Sequence, residues 1–274
     1  MRRKHQYVLY ETTKACQNDC LFCYNVWKED PTYPAEELTG DDALRVLDRV
    51  IGETGCRFIG LTGGEPLLRA DLGRIAEFIS SKGVEPLLIS NGALLSRERV
   101  AECRRAGIRS FEVSLHGAKP EVHDRLAGRA GSFEEAIDAI INVKSAGGGV
   151  STVFVGTKDN IHAFREYVEL CALLRVDGIL FNRVACGGTC VAGWEDLAPP
   201  PNDIIRALET GVPVAEKYRI GLSVGVQIQP CLVDVGMFAN VATGFCPLND
   251  PSSDNSYFAI DPAGNLRMCN RSRI

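Results

Sequence analysis

Short apolar runs alternate along this chain with stretches whose apolar positions recur every three to four residues. The runs predict strands at Tyr7–Thr13, Arg57–Thr62, Pro86–Ser90, Ser110–Leu115, Val150–Val155 and Gly178–Val184. The helical spacing predicts helices at Asp41–Ile51, Ala70–Lys82, Arg97–Ala106, Phe133–Ser145 and Ala163–Leu174. The fourth helix carries the fullest start signal. Ser132 and Glu135 have capping-box spacing, and Phe133, Ile137, Ile140 and Ile141 would share a face. Gly83 and Gly107 stand where glycines end the second and third helices.

Strict alternation of strand and helix implies parallel strands joined by right-handed crossovers, hence an α/β fold. Six such strands suit either an open doubly wound sheet or a partial barrel, and in both, ligands collect at the carboxyl ends of the strands. The run 198–203 (Ala-Pro-Pro-Pro-Asn-Asp) interrupts the pattern ahead of a predicted helix, Ile204–Lys217, and a strand-like stretch, Arg219–Val226. Beyond that the periodicity fails. The clearest late element is a hairpin, with Tyr257–Ile260 and Leu266–Cys269 flanking the turn 261–265. The expected domains are a core over 1–226 and a small cap over 227–274. There is no internal repeat and no low-complexity segment.

Composition narrows the class. Across 274 residues, 45% are hydrophobic and 24% charged, the mix of a folded chain. No apolar run is long enough to span a membrane. A basic start without an apolar core behind it argues against a secretory signal, so a cytoplasmic location is expected. The net charge of −5 offers no footprint for nucleic acid. The eleven cysteines are the anomaly, an odd number in a chain without an export signal. Kept reduced, they would serve as core residues, metal ligands or redox groups. Cys56, Cys103 and Cys171, at helix ends or on apolar helix faces, read as core.

Cys16, Cys20 and Cys23 follow the first strand as C-x3-C-x2-C. Thiolates at this density suit an iron–sulfur cluster or zinc, and three ligands leave one position open for chemistry. The same spacing would place them on one face of a helix as small packing residues, but Gln17, Asn18 and Asp19 are mediocre helix formers. Gly63-Gly64-Glu65-Pro66 closes the second strand. Paired glycines let backbone approach a ligand, and the glutamate offers an acceptor for an ammonium; taken alone, the run is also an ordinary turn. Ser90-Asn91-Gly92 ends the third strand and Ser114 the fourth, where hydroxyl and amide groups suit a sugar or a carboxylate.

With Phe22 in the aromatic place of C-x3-C-x-aromatic-C, the chain resembles the radical S-adenosylmethionine (SAM) enzymes. That resemblance implies a partial (β/α)6 barrel of the TIM type and a [4Fe–4S] cluster on Cys16, Cys20 and Cys23. The fourth iron of that cluster would chelate SAM. Gly63, Gly64, Glu65 and Pro66 resemble the motif that holds the SAM amino group. Ser114 resembles the family's ribose- or carboxylate-contacting position; Ser90 and Asn91 are candidates for the same contacts, although Asn-Gly is also plain turn chemistry. His123-Asp124-Arg125-Leu126-Ala127-Gly128 is similar to the family's H-D-x-x-x-G stretch, and Arg125 would pair with the SAM carboxylate or else lie solvated at the surface. His116 and His123 read as structural, and Asn182 on the sixth strand would lie toward the adenine.

The C-terminal hairpin resembles part of a SPASM or twitch cap, which implies an auxiliary cluster. Cys231, Cys246 and Cys269 supply three ligands, with a fourth from Cys186 or Cys190 or missing. The interval from Cys246 to Gly264 exceeds the family's, and few residues follow Cys269. Cys186 and Cys190, in a C-x3-C loop after the sixth strand, could alternatively act as hydrogen donors or belong to a plain glycine-rich loop.

The expected function is reductive cleavage of SAM to a 5′-deoxyadenosyl radical that abstracts hydrogen from a peptide or protein. The alternative substrates are small molecules: a sugar, an aminoglycoside or a tetrapyrrole. A flavodoxin or ferredoxin is the implied electron donor. No amino-terminal peptide-binding domain is expected before the first strand, so a peptide substrate would call for a separate recognition protein. A structural zinc or iron–sulfur module is the non-enzymatic alternative, and it would have no use for Glu65 and its two glycines.

Overall fold

The computed structural model describes residues 7–30, 32–225, 233–243 and 257–270. Seven strands follow one another as parallel neighbours: β1 (Tyr7–Thr13), β2 (Phe58–Gly63), β3 (Glu85–Ser90), β4 (Ser110–Ser114), β5 (Gly149–Gly156), β6 (Gly178–Arg183) and β7 (Gly221–Val224). The crossovers contain α1 (Gly40–Thr54), α2 (Leu72–Ser81), α3 (Arg97–Arg105), α4 (Pro120–Ala127), α5 (Ser132–Ser145), α6 (Phe164–Leu173), α7 (Trp194–Leu197) and α8 (Pro201–Tyr218). Every predicted strand and helix is present within a few residues. No helix among the described residues is long and apolar enough to cross a membrane.

The strands alternate their side chains between two apolar environments. Tyr10, Leu61, Leu88, Phe111, Phe154 and Phe181 pack into the main core beneath the helices. Their neighbours Leu9, Ile89, Glu112, Val153 and Leu180 face the other way and line a cavity enclosed by the curled sheet. Burial on both faces explains why these strands read as apolar runs without clean polar alternation.

Two features extend the sheet beyond the six strands expected. The seventh strand pairs with β8 (Val241–Thr243), which lies in the stretch where periodicity fails. At the opposite end, β9 (Tyr257–Ile260) pairs in parallel with β1, and β10 (Leu266–Arg267) turns back antiparallel on β9. The predicted hairpin is therefore an edge of the barrel sheet. Its turn is closed by Asp261, whose Oδ1 accepts from the Asn265 amide at 2.7 Å while Tyr33 donates to Oδ2 at 2.8 Å. Arg267 forms an ion pair with Glu11 of β1, and both side chains are essentially solvent-free.

The start of α5 differs from its sequence signal. Ser132 and Glu135 do not form a capping box. Asp124 of the preceding helix takes that role, accepting from the Gly131 amide at 2.7 Å, the Ser132 hydroxyl at 2.9 Å and the Phe133 amide at 2.8 Å. Glu135 is drawn to Arg129 instead. The buried face comprises Ala136, Ala139, Ile140 and Val143, and Ile141 is 44% exposed. Helix α4, read only as part of a motif, starts at Pro120, with fixed φ, and stops at Gly128 in the left-handed region. Arg219 likewise terminates α8 with φ 58°, which shortens the last core strand at its start.

Replacing Arg267 by Met leaves Glu11 charged and alone in the interior. The expected cost is about 3–5 kcal/mol in denaturant unfolding, with most of it recovered in the double variant E11L/R267M. Equal stability of R267M and the parent chain would contradict the buried pair.

Candidate functional site

A cavity of about 640 Å³ opens at the carboxyl ends of the strands. Cys16, Cys20 and Cys23 line it together, from the irregular loop that leaves β1. That loop has no hydrogen-bonded ladder of its own, so its neighbours fix it. The Gly64 amide donates to the Thr13 carbonyl at 2.7 Å, and the Glu65 amide to the Ala15 carbonyl at 2.7 Å. At the end of α4, the Asp19 amide donates to Ala127 at 3.2 Å and the Leu21 amide to Leu126 at 3.0 Å. The Thr189 hydroxyl lies 3.1 Å from the Cys20 carbonyl and 3.3 Å from that of Cys23.

Three glycines permit this convergence. A Cβ on Gly64 would collide with the Ala15 carbonyl, one on Gly128 with that of Asp19, and one on Gly188 with that of Cys23. The loop after β6 is thereby explained. Gly188 and Thr189 brace the cysteine loop, whereas Cys190 is fully buried with Phe22, Leu126, Val184 and Leu197. Cys186 is exposed, and neither Cys186 nor Cys190 lines the cavity. Cys56, Cys103 and Cys171 are core residues, as expected.

Burial raises the thiol pKa of all three loop cysteines, that of Cys20 to about 12 with the negative charge of its two neighbours adding to the effect. Without a bound cation they stay protonated. This donor set fits a group that supplies strong positive charge and draws on soft thiolates, as an iron–sulfur cluster does. Among the described residues, no three Cys, His, Asp or Glu side chains converge as ligands of one metal ion. The Asn91 amide nitrogen is 3.9 Å from the Cys16 sulfur, close enough for a weak hydrogen bond to it.

Gly63, Gly64, Ser90, Asn91 and Ser114 line the cavity beside the cysteines, as does Phe22, whose ring meets His116 edge-on at 4.6 Å. Glu65 sits behind them, with no exposed surface. Its carboxylate accepts from the Ser90 hydroxyl at 2.9 Å, the Asn91 amide at 2.8 Å and the Leu67 amide at 3.2 Å. Burial raises its pKa to about 7 against the pull of those three bonds. The carboxylate thereby ties the Gly-Gly turn to the end of β3. Pro66 is buried in the turn that follows. Arg125 points away from the cavity, pairing with Asp159 at 3.0 Å. Its side chain is 54% exposed.

His116 and His123 line the cavity as neutral rings, the pKa of His116 held well below its usual value by burial and that of His123 lowered to about 4. Each Nδ1 accepts a backbone amide, from Val155 at 3.3 Å and His116 at 3.0 Å respectively. Asn182 also reaches the cavity. Cys231 and Cys246 lie outside the described residues, and Cys269 is buried two residues beyond Arg267. Sequence reading missed Glu112, a carboxylate facing the cavity from β4. Its signal was the lone charge in β4, between Phe111 and Val113.

Residues 10–171 match the profile of the Radical SAM superfamily. The AdoMet-dependent heme synthase of Oleidesulfovibrio alaskensis is 30% identical over 164 residues, which cover 60% of this chain and 42% of that protein. The enzyme of the same name from Methanosarcina barkeri is 32% identical over 163 residues, 60% of this chain and 46% of that one. The matched region is thus less than half the length of these curated relatives. The fold is that of Streptococcus suis SuiB, solved with S-adenosylmethionine bound: TM-score 0.72 at 15% identity, covering 97% of this chain and 60% of SuiB. This chain belongs to the radical SAM superfamily.

Gly188→Ala should push the Cys23 carbonyl aside and lower the iron bound per chain by more than half. Gly187→Ala, whose Cβ would meet only ordinary contacts, should leave it unchanged. Equal iron content in the two variants would refute the bracing role of this loop.

Proposed function

We propose that this chain generates a carbon radical from SAM and uses it to take a hydrogen atom from a peptide or protein substrate bound in the barrel cavity. Cys16, Cys20 and Cys23 would hold the cluster and leave one iron open, with Gly63, Gly64, Asn91 and Ser114 placed to hold SAM beside it. Bound there, the reduced cluster and SAM supply the hydrogen-abstracting radical. The chain's own contribution is position and dryness: Leu9, Ile89, Val153 and Leu180 present apolar walls that keep water from a reactive centre. The observation that carries the reading is the placement of three half-buried thiols and a paired-glycine turn on the rim of one apolar cavity.

The peptide reading is supported by the open side of the sheet. Among the described residues, β8 and the β9–β10 hairpin are its two ends and are not paired with each other. A segment of chain can approach the cavity from that side, where Tyr257 and Asn270 of the hairpin region form part of the lining. A separate recognition protein would present the peptide, and a flavodoxin or ferredoxin would deliver the electron. A tetrapyrrole is the second reading, favoured by the identity of the curated relatives as heme synthases. Residues 227–274 are proposed as a cap in which Cys231, Cys246 and Cys269 bind an auxiliary cluster.

Anaerobic reconstitution with iron and sulfide, followed by SAM and dithionite, should yield 5′-deoxyadenosine. Cys16→Ala, Cys20→Ala and Cys23→Ala should each abolish it, and a protein that binds iron yet forms none would defeat the proposal. Cys269→Ala should lower iron content while SAM cleavage stays measurable; unchanged iron would remove the auxiliary cluster.

A further inference from the structure

Glu112 is the one carboxylate that faces into the cavity from the barrel wall without a partner among the described residues. Phe111 and Val113 on either side pack under the helices, so strand alternation turns Glu112 inward. It lies one inward position deeper than Ser114, about 6–7 Å further from the strand end that carries the SAM-side residues. Its register neighbours are Ile89 on β3 and Ser151 on β5. The basic side chains that also line the cavity are engaged elsewhere: Lys28 with Asp19 at 2.8 Å, and Arg183 through a bond to the Val184 carbonyl at 3.5 Å. Burial is the sole cause acting on Glu112, raising its pKa to about 7. Close by stand aromatic rings. Tyr7 and Tyr257 meet edge to face at 6.4 Å, Tyr24 lines the same cavity, and the charge of Glu112 is among the causes that raise the Tyr7 pKa.

A carboxylate facing a mainly apolar cavity with no protein donor is costly to ionise, and a partner from outside the chain would lower that cost. A positive group on a ligand would restore the balance, and tyrosine faces favour a cation over a neutral group of the same shape. An ammonium suits the site better than a guanidinium. It has three donors to satisfy, within reach of one carboxylate and a few phenol and amide oxygens, whereas a guanidinium presents five in a rigid fork to mostly aliphatic walls.

We propose that Glu112 anchors a protonated amine of the substrate, so that the chain acts on a molecule bearing a lysine-like amino group. This rests on the reading of the cavity as the place where a peptide or protein substrate reacts. It adds a specificity residue that no motif of the chain encodes.

The test is equilibrium binding to the anaerobically reconstituted protein with SAM present in every sample, at pH 8. The two probes are Nα-acetyl-lysine methylamide and its norleucine counterpart, which lacks the amine. The lysine probe should bind at least about tenfold more tightly, and Glu112→Gln should remove that preference. Equal binding of the two probes, no binding of the lysine probe, or an undiminished preference in E112Q would each overturn the proposal. Should E112Q fail to fold, the comparison of probes on the parent protein decides alone. Because no turnover is read, a lysine preference in a protein that cleaves no SAM would sink the radical reading and leave this one standing. Deoxyadenosine formation without the preference would do the reverse.

Discussion

Three half-buried thiols have to be held still by a loop with no secondary structure of its own, and the rest of the site follows from that requirement. An irregular segment can be rigid only if other parts of the chain satisfy its backbone groups. Here the turn after β2, the end of α4 and the loop after β6 all press backbone against the stretch from Ala15 to Cys23. Each approach is so close that the neighbour has to be glycine. The contacts arrive from three crossovers far apart in sequence, so the thiols come into position only when the barrel has closed around them.

How much of this could be read beforehand depended on whether a residue's role is local. The parallel strands were legible because burial on both faces writes itself as a run of β-branched and aromatic residues. The cysteine triplet and the paired glycines were legible because their spacing is the chemistry. Roles that depend on a distant partner were not. Ser132 and Glu135 had the spacing of a capping box, but Asp124 from the neighbouring helix is a better acceptor in place, and Arg129 diverts the glutamate. In the loop after β6 the cysteines drew notice, while the groups that matter are the glycine and threonine between them. Glu65 was legible as a polar group at the strand end, but its bracing of the end of β3 appears only in its three hydrogen bonds.

The cavity shows the same division of labour between walls and rim. Polar groups gather where the strands end, and aliphatic side chains occupy the interior, which suits a reactive species that would otherwise be quenched by solvent. Glu112 departs from that plan. Its neighbours in the strand obey the pattern strictly, so the exception marks chemistry that packing alone would not select.

The pairing of β9 with β1, sealed by Arg267 against Glu11, also bears on how such a chain can diversify. A tail that merely rested on the barrel could be exchanged between relatives as an interchangeable part. This one is stitched into the first strand by a charge whose complement lies 256 residues away in sequence. Recombination that swapped only one of the two segments would strand a lone anion in the interior, so variation at this edge must carry both segments together.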